Sequence, residues 1–271
     1  MAGSDVPGGA ARIGGDAGAE RAADNGQGAP IERAQDQLFA TGQSSRAKYS
    51  DLVIGQRGLV ALIKHELIVS FAQARAGALG LLLRKLLYPR LLGSCGRNVV
   101  FGQNVVLRHP HKIHIGSHVV IDDNCLIDAK GGSNRGIRIG SGVFIGRNSI
   151  LSCKNGNIDI ADKVNIGFNC ELFSASHVTV GPSVLMAAYT YVIGGDHDFS
   201  DPSKAVLDQT RRSVGVTIGE GAWMGAGAKI LDGVSIGAHA VIGAGAVVRE
   251  DVPPRAVAVG VPARVVSTRE S

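Results

Sequence analysis

Ile218-Gly219-Glu220-Gly221-Ala222-Trp223-Met224-Gly225-Ala226-Gly227-Ala228-Lys229-Ile230 carries a six-residue repeat, with a large apolar side chain at 218, 224 and 230 and a small one two places before each. The same step joins 236, 242 and 248 downstream, and 95-101-107, 115-121-127, 139-145-151, 160-166-172 and 180-186-192 upstream. Successive triplets are separated by 8, 12, 9, 8, 26 and 6 residues, so every insertion falls at one phase of an 18-residue period and none falls inside a triplet. That phase-locking describes a coil with three flat sides and one corner that tolerates extra chain. Period-two alternation puts each large residue and the small or β-branched one before it (Val119, Cys125, Val143, Ser149, Ala222, Ala228) on the inner face of a short strand. The predicted fold is an all-β solenoid, a parallel β-helix of about seven three-sided coils, each resting on its neighbours. Gly, Ala or Asp usually follows the large residue and is expected to supply the corner conformation.

Outward from the repeat, 1–50 is rich in Gly, Ala, Asp, Gln and Ser and has few large apolar residues, the composition of a disordered segment. It lacks a basic start followed by an apolar core, so no secretory leader is expected. Residues 51–94 change character to a helical extension. Leu59, Leu62, Ile63, Leu67 and Phe71 recur at helical spacing, and Leu79, Leu82, Leu83, Leu86 and Leu87 follow before Pro89. Within 52–92, Arg57, Lys64, Arg75, Arg84, Lys85 and Arg90 face a single Glu66. The apolar run 67–83 is interrupted by Gln73, Arg75, Gly77 and Gly80 and is shorter than the ~20 residues of a membrane span. Two readings stay open: a cap over the first coil, or a basic amphipathic segment on an anionic membrane surface.

A net charge of +5 and 4% aromatic residues, with no basic run interleaved with rings, argue against a nucleic-acid partner. Three of the four cysteines, at 95, 125, 153 and 170, occupy inward repeat positions, and no Cys-x-x-Cys pair exists; they read as small buried hydrophobes. His109, His111, His114 and His118 cluster at spacings of 2, 3 and 4, and read as solvated surface histidines. The largest insertion, 193–217, contains Gly194-Gly195-Asp196-His197-Asp198-Phe199. Long loops on rigid scaffolds are where chemistry is placed, and imidazole suits proton abstraction near neutral pH.

With Gly221-Ala222-Trp223-Met224-Gly225-Ala226-Gly227, Ile242-Gly243-Ala244-Gly245-Ala246-Val247-Val248, Asp251-Val252-Pro253-Pro254 and Gly260-Val261-Pro262-Ala263-Arg264-Val265, the stretch from Cys95 to Val266 resembles the hexapeptide-repeat acyltransferases. It is most similar to the galactoside, maltose and polysaccharide O-acetyltransferases. The resemblance implies a left-handed β-helix over 95–251, a homotrimer, acetyl-CoA as acyl donor, no metal, and a cytoplasmic enzyme, possible also on the inner membrane face. It implies that His197 is the general base. It further implies that Trp223, the backbone of Ala226 and Ala244, and Arg264 in the 252–271 tail meet CoA, with Arg249 replacing the lysine that members often carry where this chain has Glu250. Asn165, Asp196 and Asp198 are the expected acceptor contacts. Galactoside-type members have an aromatic-x-Asn pair before the loop where this chain reads Asn165-Ile166-Gly167, so a different acceptor is expected. The functional expectation is O-acetylation of a sugar, in surface polysaccharide or glycolipid synthesis. N-acetylation of an amino sugar and a non-catalytic assembly role are the alternatives.

Overall fold

Each triplet becomes three strands, and strands of equal rank stack into three parallel sheets. The computed structural model describes residues 42–270. The first face runs from Ser94–Cys95 to Ser235–Ile236, the second from Val100–Phe101 to Val241–Ile242, and the third from Val106–Arg108 to Val247–Val248. Register follows the repeat: Cys95 pairs with Ile115, Ile115 with Ile139, Ile145 with Ile166, Ile166 with Met186, Met186 with Met224, and Leu172 with Val192. The inward residues form one continuous core, with Ile121, Ile145, Ile166, Met186, Met224 and Ile242 all fully buried. Cys125, Cys153 and Cys170 are buried in it as free thiols, and burial raises their pKa values, that of Cys125 to about 11.

The corner conformation belongs to a different residue from the one expected. Positive φ occurs three places after the large residue, at Asn98, Asn104, Asn124, Asn148, Asn169, Gly227 and Gly245 among others. Glycine directly after the large residue answers a different need. A Cβ on Gly116 would lie 2.7 Å from the Gly140 carbonyl carbon, and one on Gly225 would lie 2.6 Å from the Ala244 nitrogen. There the backbones of consecutive coils approach too closely for a side chain.

The stack is closed at both ends. At the C-terminal end Ile236 bridges to Val252, and Ala256–Gly260 adds to the second sheet in parallel, opposite Val241 and Ile242. Ala263–Thr268 then turns back antiparallel on that strand and shields the last open edge. The additions amount to a partial eighth coil.

At the other end lie helix α1 (Ser45–Tyr49), a π turn (Ser50–Ile54), α2 (Leu59–Ala72) and α3 (Gly77–Leu87). Helical structure therefore starts before the Asp51 boundary drawn from composition, and Ser50 is already buried. The rest of the segment read as disordered, residues 1–41, lies outside the described residues. Ala72, Ile68, Tyr88, Leu91 and Leu92 join the solenoid core, so the inner side of the extension covers the first coil. Its outer side keeps Leu59, Val60, Ile63, Leu67, Phe71 and Leu82 about half exposed or more. Among the described residues no helix is long and apolar enough to cross a membrane.

The cap is joined to the rod by a buried guanidinium. Arg84, 1% exposed, donates from Nε to the Phe101 carbonyl at 2.9 Å and from Nη1 to Ala72 O at 3.0 Å and Arg75 O at 2.6 Å. One cation thus satisfies carbonyls at the C-terminal end of α2, where the helix dipole favours positive charge, and one carbonyl of the first coil. Beside it the Tyr88 hydroxyl donates to Val105 O at 2.9 Å, and its ring meets Phe101 edge-on. Replacing Arg84 with Met keeps the bulk and strands three acceptors. We expect Arg84→Met to lose about 2–4 kcal/mol in urea denaturation; an unchanged midpoint would show that the cap does not depend on this joint.

Candidate active site

The corner between the second and third faces changes character along the rod. In the early coils its positive-φ position is always Asn, and the amides form a ladder: Asn104 donates to Asn124 (3.1 Å), Asn124 to Asn148 (3.3 Å) and Asn148 to Asn169 (3.0 Å). The ladder stops at Tyr189, which holds φ +63° with its ring 65% exposed. A bulky residue is rare in that conformation, and such strain concentrates at ligand sites. Below Tyr189 the column continues with Gly227 and Gly245, and the place of a Cβ on Gly245 is open space. One position earlier, Arg147 lies over the Phe168 ring at 5.2 Å, and the column then shrinks to Ala188, Ala226 and Ala244. The result is a trough with a backbone floor, flanked on the second face by exposed Leu185 and Trp223 and on the third by Lys229. Among the described residues the N–H groups of Ala226 and Ala244 find no acceptor, whereas higher up the rod the N–H of Gln103 is bonded to the Asp123 carboxylate.

His197 stands at another corner, between the third and first faces, just past the strand Tyr191–Gly194. Its loop is an ordered hairpin in which Asp196–His197 pairs antiparallel with Arg211–Arg212, His197 opposite Arg211. Ser213 Oγ donates to Gly194 O at 2.9 Å across the neck, and Asp232 accepts from Val214 N (2.8 Å) and Gly215 N (2.7 Å) where the chain rejoins the coil. Burial, reinforced by the charge of Asp196, raises the Asp232 pKa above the usual carboxylate range. The His197 ring is half-buried and its Nδ1 is enclosed without a hydrogen-bond partner. Neither neighbouring aspartate orients it. Asp196 accepts from the His197 backbone N–H at 2.7 Å, and Asp198 accepts from Ser200 N at 2.9 Å and Thr210 Oγ1 at 3.2 Å. Both carboxylates hold the hairpin's shape.

The remaining candidates scatter. Asn165 is exposed on the second face, stacked between Phe144 and Leu185, and does not share a corner with His197. Trp223 is 48% exposed on the same face. Arg264, in the terminal hairpin, donates to Ala263 O and lies 3.4 Å from Glu250 Oε1, while Arg249 Nε is 3.6 Å from the same oxygen. The two guanidiniums are brought together by the acid between them. Trp223, Ala226 and Ala244 thus lie along one corner, and His197 at another. The third face separates them, with strands of up to four residues that span roughly 13 Å at ~3.3 Å per residue. The reading of His109 as solvated is overturned: it is 5% exposed and its Nε2–H donates to Asp51 O at 2.9 Å. Sequence inspection passed over the asparagine ladder and its end at Tyr189, although Asn at 104, 124, 148 and 169 against Tyr189, Gly227 and Gly245 is visible in the repeat alignment.

A family model described as "Bacterial transferase hexapeptide (six repeats)" matches residues 215–250. The chain is 34% identical over 134 residues to a probable acetyltransferase of Mycobacterium tuberculosis, covering 49% of this chain and 45% of that one. It is 42% identical over 109 residues to a nodulation protein of Rhizobium meliloti, 40% of this chain and 58% of that one. It therefore spans about half the length of these two relatives. Against a putative lipopolysaccharide biosynthesis O-acetyl transferase of Escherichia coli it is 30% identical over 149 residues, 52% of this chain and 74% of the relative. Among solved structures, a maltose O-acetyltransferase of Clostridium difficile aligns over 84% of this chain and 99% of its own, at 20% identity and a TM-score of 0.42.

If Tyr189 is strained for the sake of the trough, relieving it stabilises the fold. Tyr189→Asn extends the ladder by one rung and places a residue tolerant of positive φ, so we expect a gain of about 1 kcal/mol in thermal unfolding. A lower melting temperature would mean that the ring packs against something that offsets its backbone cost.

Proposed function

Because the chain belongs to the bacterial hexapeptide-repeat transferase family, we propose that it is an acetyl-CoA-dependent O-acetyltransferase acting on a sugar hydroxyl. The observation that carries the reading is His197, a half-buried imidazole with an unpartnered ring nitrogen, fixed by a braced hairpin in the longest insertion of the rod. A general base needs a lone pair open to substrate and not already spent on a neighbour; with Nδ1 enclosed, that nitrogen is Nε2, which makes no hydrogen bond to a described residue. The name of the E. coli relative supports oxygen over nitrogen as the acceptor atom. An amino sugar would instead give an amide product, which mass spectrometry separates from an ester by its resistance to mild base.

In this mechanism His197 takes the acceptor hydroxyl proton as the oxygen attacks the thioester carbonyl carbon. The carbon–sulfur bond then breaks, the acetyl ester forms, and the imidazolium returns the proton to the departing thiolate. The trough suits the donor. It is long, floored by backbone, and offers the free N–H groups of Ala226 and Ala244 to the amide carbonyls of a pantetheine arm. Arg264 and Arg249 at its C-terminal end would meet phosphate, once Glu250 gives up their ion pairs.

The separation of His197 from the trough argues for an oligomer, since a complete site then forms where one chain's loop corner faces another chain's trough. A trimer closes that contact in a ring. The same reading sets the outward apolar face of α2 and α3, with Arg57, Lys64, Lys85 and Arg90 around it, against an anionic membrane that carries the acceptor.

His197→Ala should lower turnover roughly 10²–10⁴-fold and leave CoA affinity and melting temperature in place. Light scattering should give three times the 28.0 kDa chain mass. Mixing inactive His197→Ala chains with inactive Arg264→Glu chains should restore about a quarter of the sites by random assortment, whereas no recovery in a verified mixed trimer would place each site within one chain. In calorimetry, Arg264→Ala should weaken CoA binding by about 1.5–3 kcal/mol. Glu250→Gln should strengthen it by up to ~1 kcal/mol, the size of an exposed ion pair; indifference to both changes removes the tail from the donor site.

A further inference from the structure

The cap over the first coil is apolar on both of its sides. Inward, Ile68 and Ala72 of α2 join the core and Leu83 and Leu87 of α3 pack against it, so the two helices form one layer across the end of the rod. Outward, Val60 is 82% exposed and Leu79 60%, with Leu59, Leu67, Phe71 and Leu82 exposed around them. A helix on a soluble protein needs one apolar stripe, and a second, contiguous one marks a surface that meets another apolar phase. Lysines stand inside the outward stripes. Lys64 lies one turn beyond Val60 on α2 and Lys85 one turn beyond Leu81 on α3, both exposed. Among the described residues neither they nor Arg75 has an acid partner. The acids of the segment are engaged: Asp51 holds Arg57 through both oxygens, and Glu66 accepts from the Tyr49 hydroxyl at 2.6 Å and faces His65 Nδ1 at 3.1 Å. Apolar side chains set among long-stemmed ammonium groups match an anionic bilayer, where the former enter the hydrocarbon boundary and the latter stay with the headgroups. A second copy of the same face would bring lysine against lysine.

The same layer fixes how far His197 stands from that bilayer. Arg84 joins the helices to the Phe101 carbonyl, so the cap cannot swing away from the rod without stranding buried carbonyls. Strands of the third face measure the height: Val106–Arg108, Leu126–Asp128, Ile150–Cys153, Glu171–Ser174 and Tyr191–Gly194 lie one above another, and His197 follows the fifth. Four steps of ~4.8 Å and one helix layer of ~10 Å put His197 roughly 30 Å from the lipid surface. A sugar joined directly to a lipid diphosphate stays at the headgroups and falls short of that height. Each ring of a linear glycan advances it by about one coil spacing, so several rings are needed to carry a hydroxyl to the imidazole.

We propose that the cap seats the rod upright on an anionic membrane and that the acceptor is a lipid-linked oligosaccharide, acetylated on a sugar several units away from its lipid. The inference rests on the reading of His197 as base for a membrane-borne acceptor, but docking and height are measured without turnover. Full-length protein should sediment with vesicles of equimolar phosphatidylglycerol and phosphatidylcholine and not with phosphatidylcholine alone. Lys64→Gln/Lys85→Gln should lower that partitioning roughly 20-fold, at about fivefold per cation. Val60→Glu/Leu79→Glu should abolish it, and both double variants should keep the parent melting temperature because these side chains lie outside the core. His197→Ala should sediment like the parent, so failure of the base assignment appears in turnover alone. A fluorophore on Ser203→Cys, exposed in the hairpin, should transfer energy to a dye at the vesicle surface over roughly 30 Å, and one on Val60→Cys from close contact. The unsubstituted protein is the labelling blank, since its thiols are buried or half-buried. When the sugar that the protein acetylates in solution is built onto a lipid diphosphate, vesicles bearing a linear oligosaccharide should be acetylated about tenfold faster or more than vesicles bearing one unit. Four results overturn the proposal: no sedimentation that prefers anionic vesicles; equal energy transfer from the two sites, which lays the rod on its side; equal acetylation of the two acceptors; or a parent assembly whose mass halves in Val60→Glu/Leu79→Glu, which assigns the face to a second copy.

Discussion

Coil resting on coil in fixed register is the constraint from which the rest of this structure follows. Inward residues meet their equivalents one coil away, and at Gly116 and Gly225 the backbones come close enough to exclude a side chain. An odd-numbered insertion inside a triplet would turn core residues to the surface, because side chains alternate with period two, and an even-numbered one would still break the register between coils. Extra chain is therefore tolerated at one corner only. The spacing of the sequence and the siting of His197 are two consequences of that one rule.

The two corners flanking the third face have been put to different uses. The corner between the second and third faces has constant length, so it presents the same backbone geometry in each coil, and its character is set by the residue at positive φ. Asparagine there closes the surface with a ladder of amides, and glycine opens it. Tyr189 marks the boundary at a cost in backbone strain. The other corner varies in length, and it collects lysines, histidines and the hairpin of His197.

How much of this is legible in the sequence depends on whether it is periodic. The strands, their register and the inward residues could be read from the six-residue step, since packing against a neighbouring coil leaves its mark at every repeat. The helical cap was visible as a composition, but its joint was not: Arg84 looks like one more base in a basic segment, and only its three carbonyl partners show it to be core. The glycine after the large residue was visible and its reason was not, because a close approach between coils involves residues some twenty positions apart. In the candidate site the sequence singles out His197 by the length of its insertion. It does not show that the Asp196 and Asp198 carboxylates turn back on the hairpin backbone, because those hydrogen bonds depend on the loop's own conformation. His109 was hidden for the same reason as Arg84: its burial is made by a segment, Asp51 to Gly55, far away in the chain.

This division of the surface bears on how a transferase on such a rod can change its acceptor without losing its donor. A trough built from backbone N–H groups and missing side chains depends on coil geometry, which the core enforces, so substitutions at outward positions leave it in place. A pocket built from side chains at the variable corner depends on which residues an insertion happens to carry. Residues carried by the insertions could be exchanged without disturbing an inward residue. On the proposed reading the acceptor is the evolvable half of the reaction, met at a corner free to vary, and the donor the fixed half, met by the fold itself.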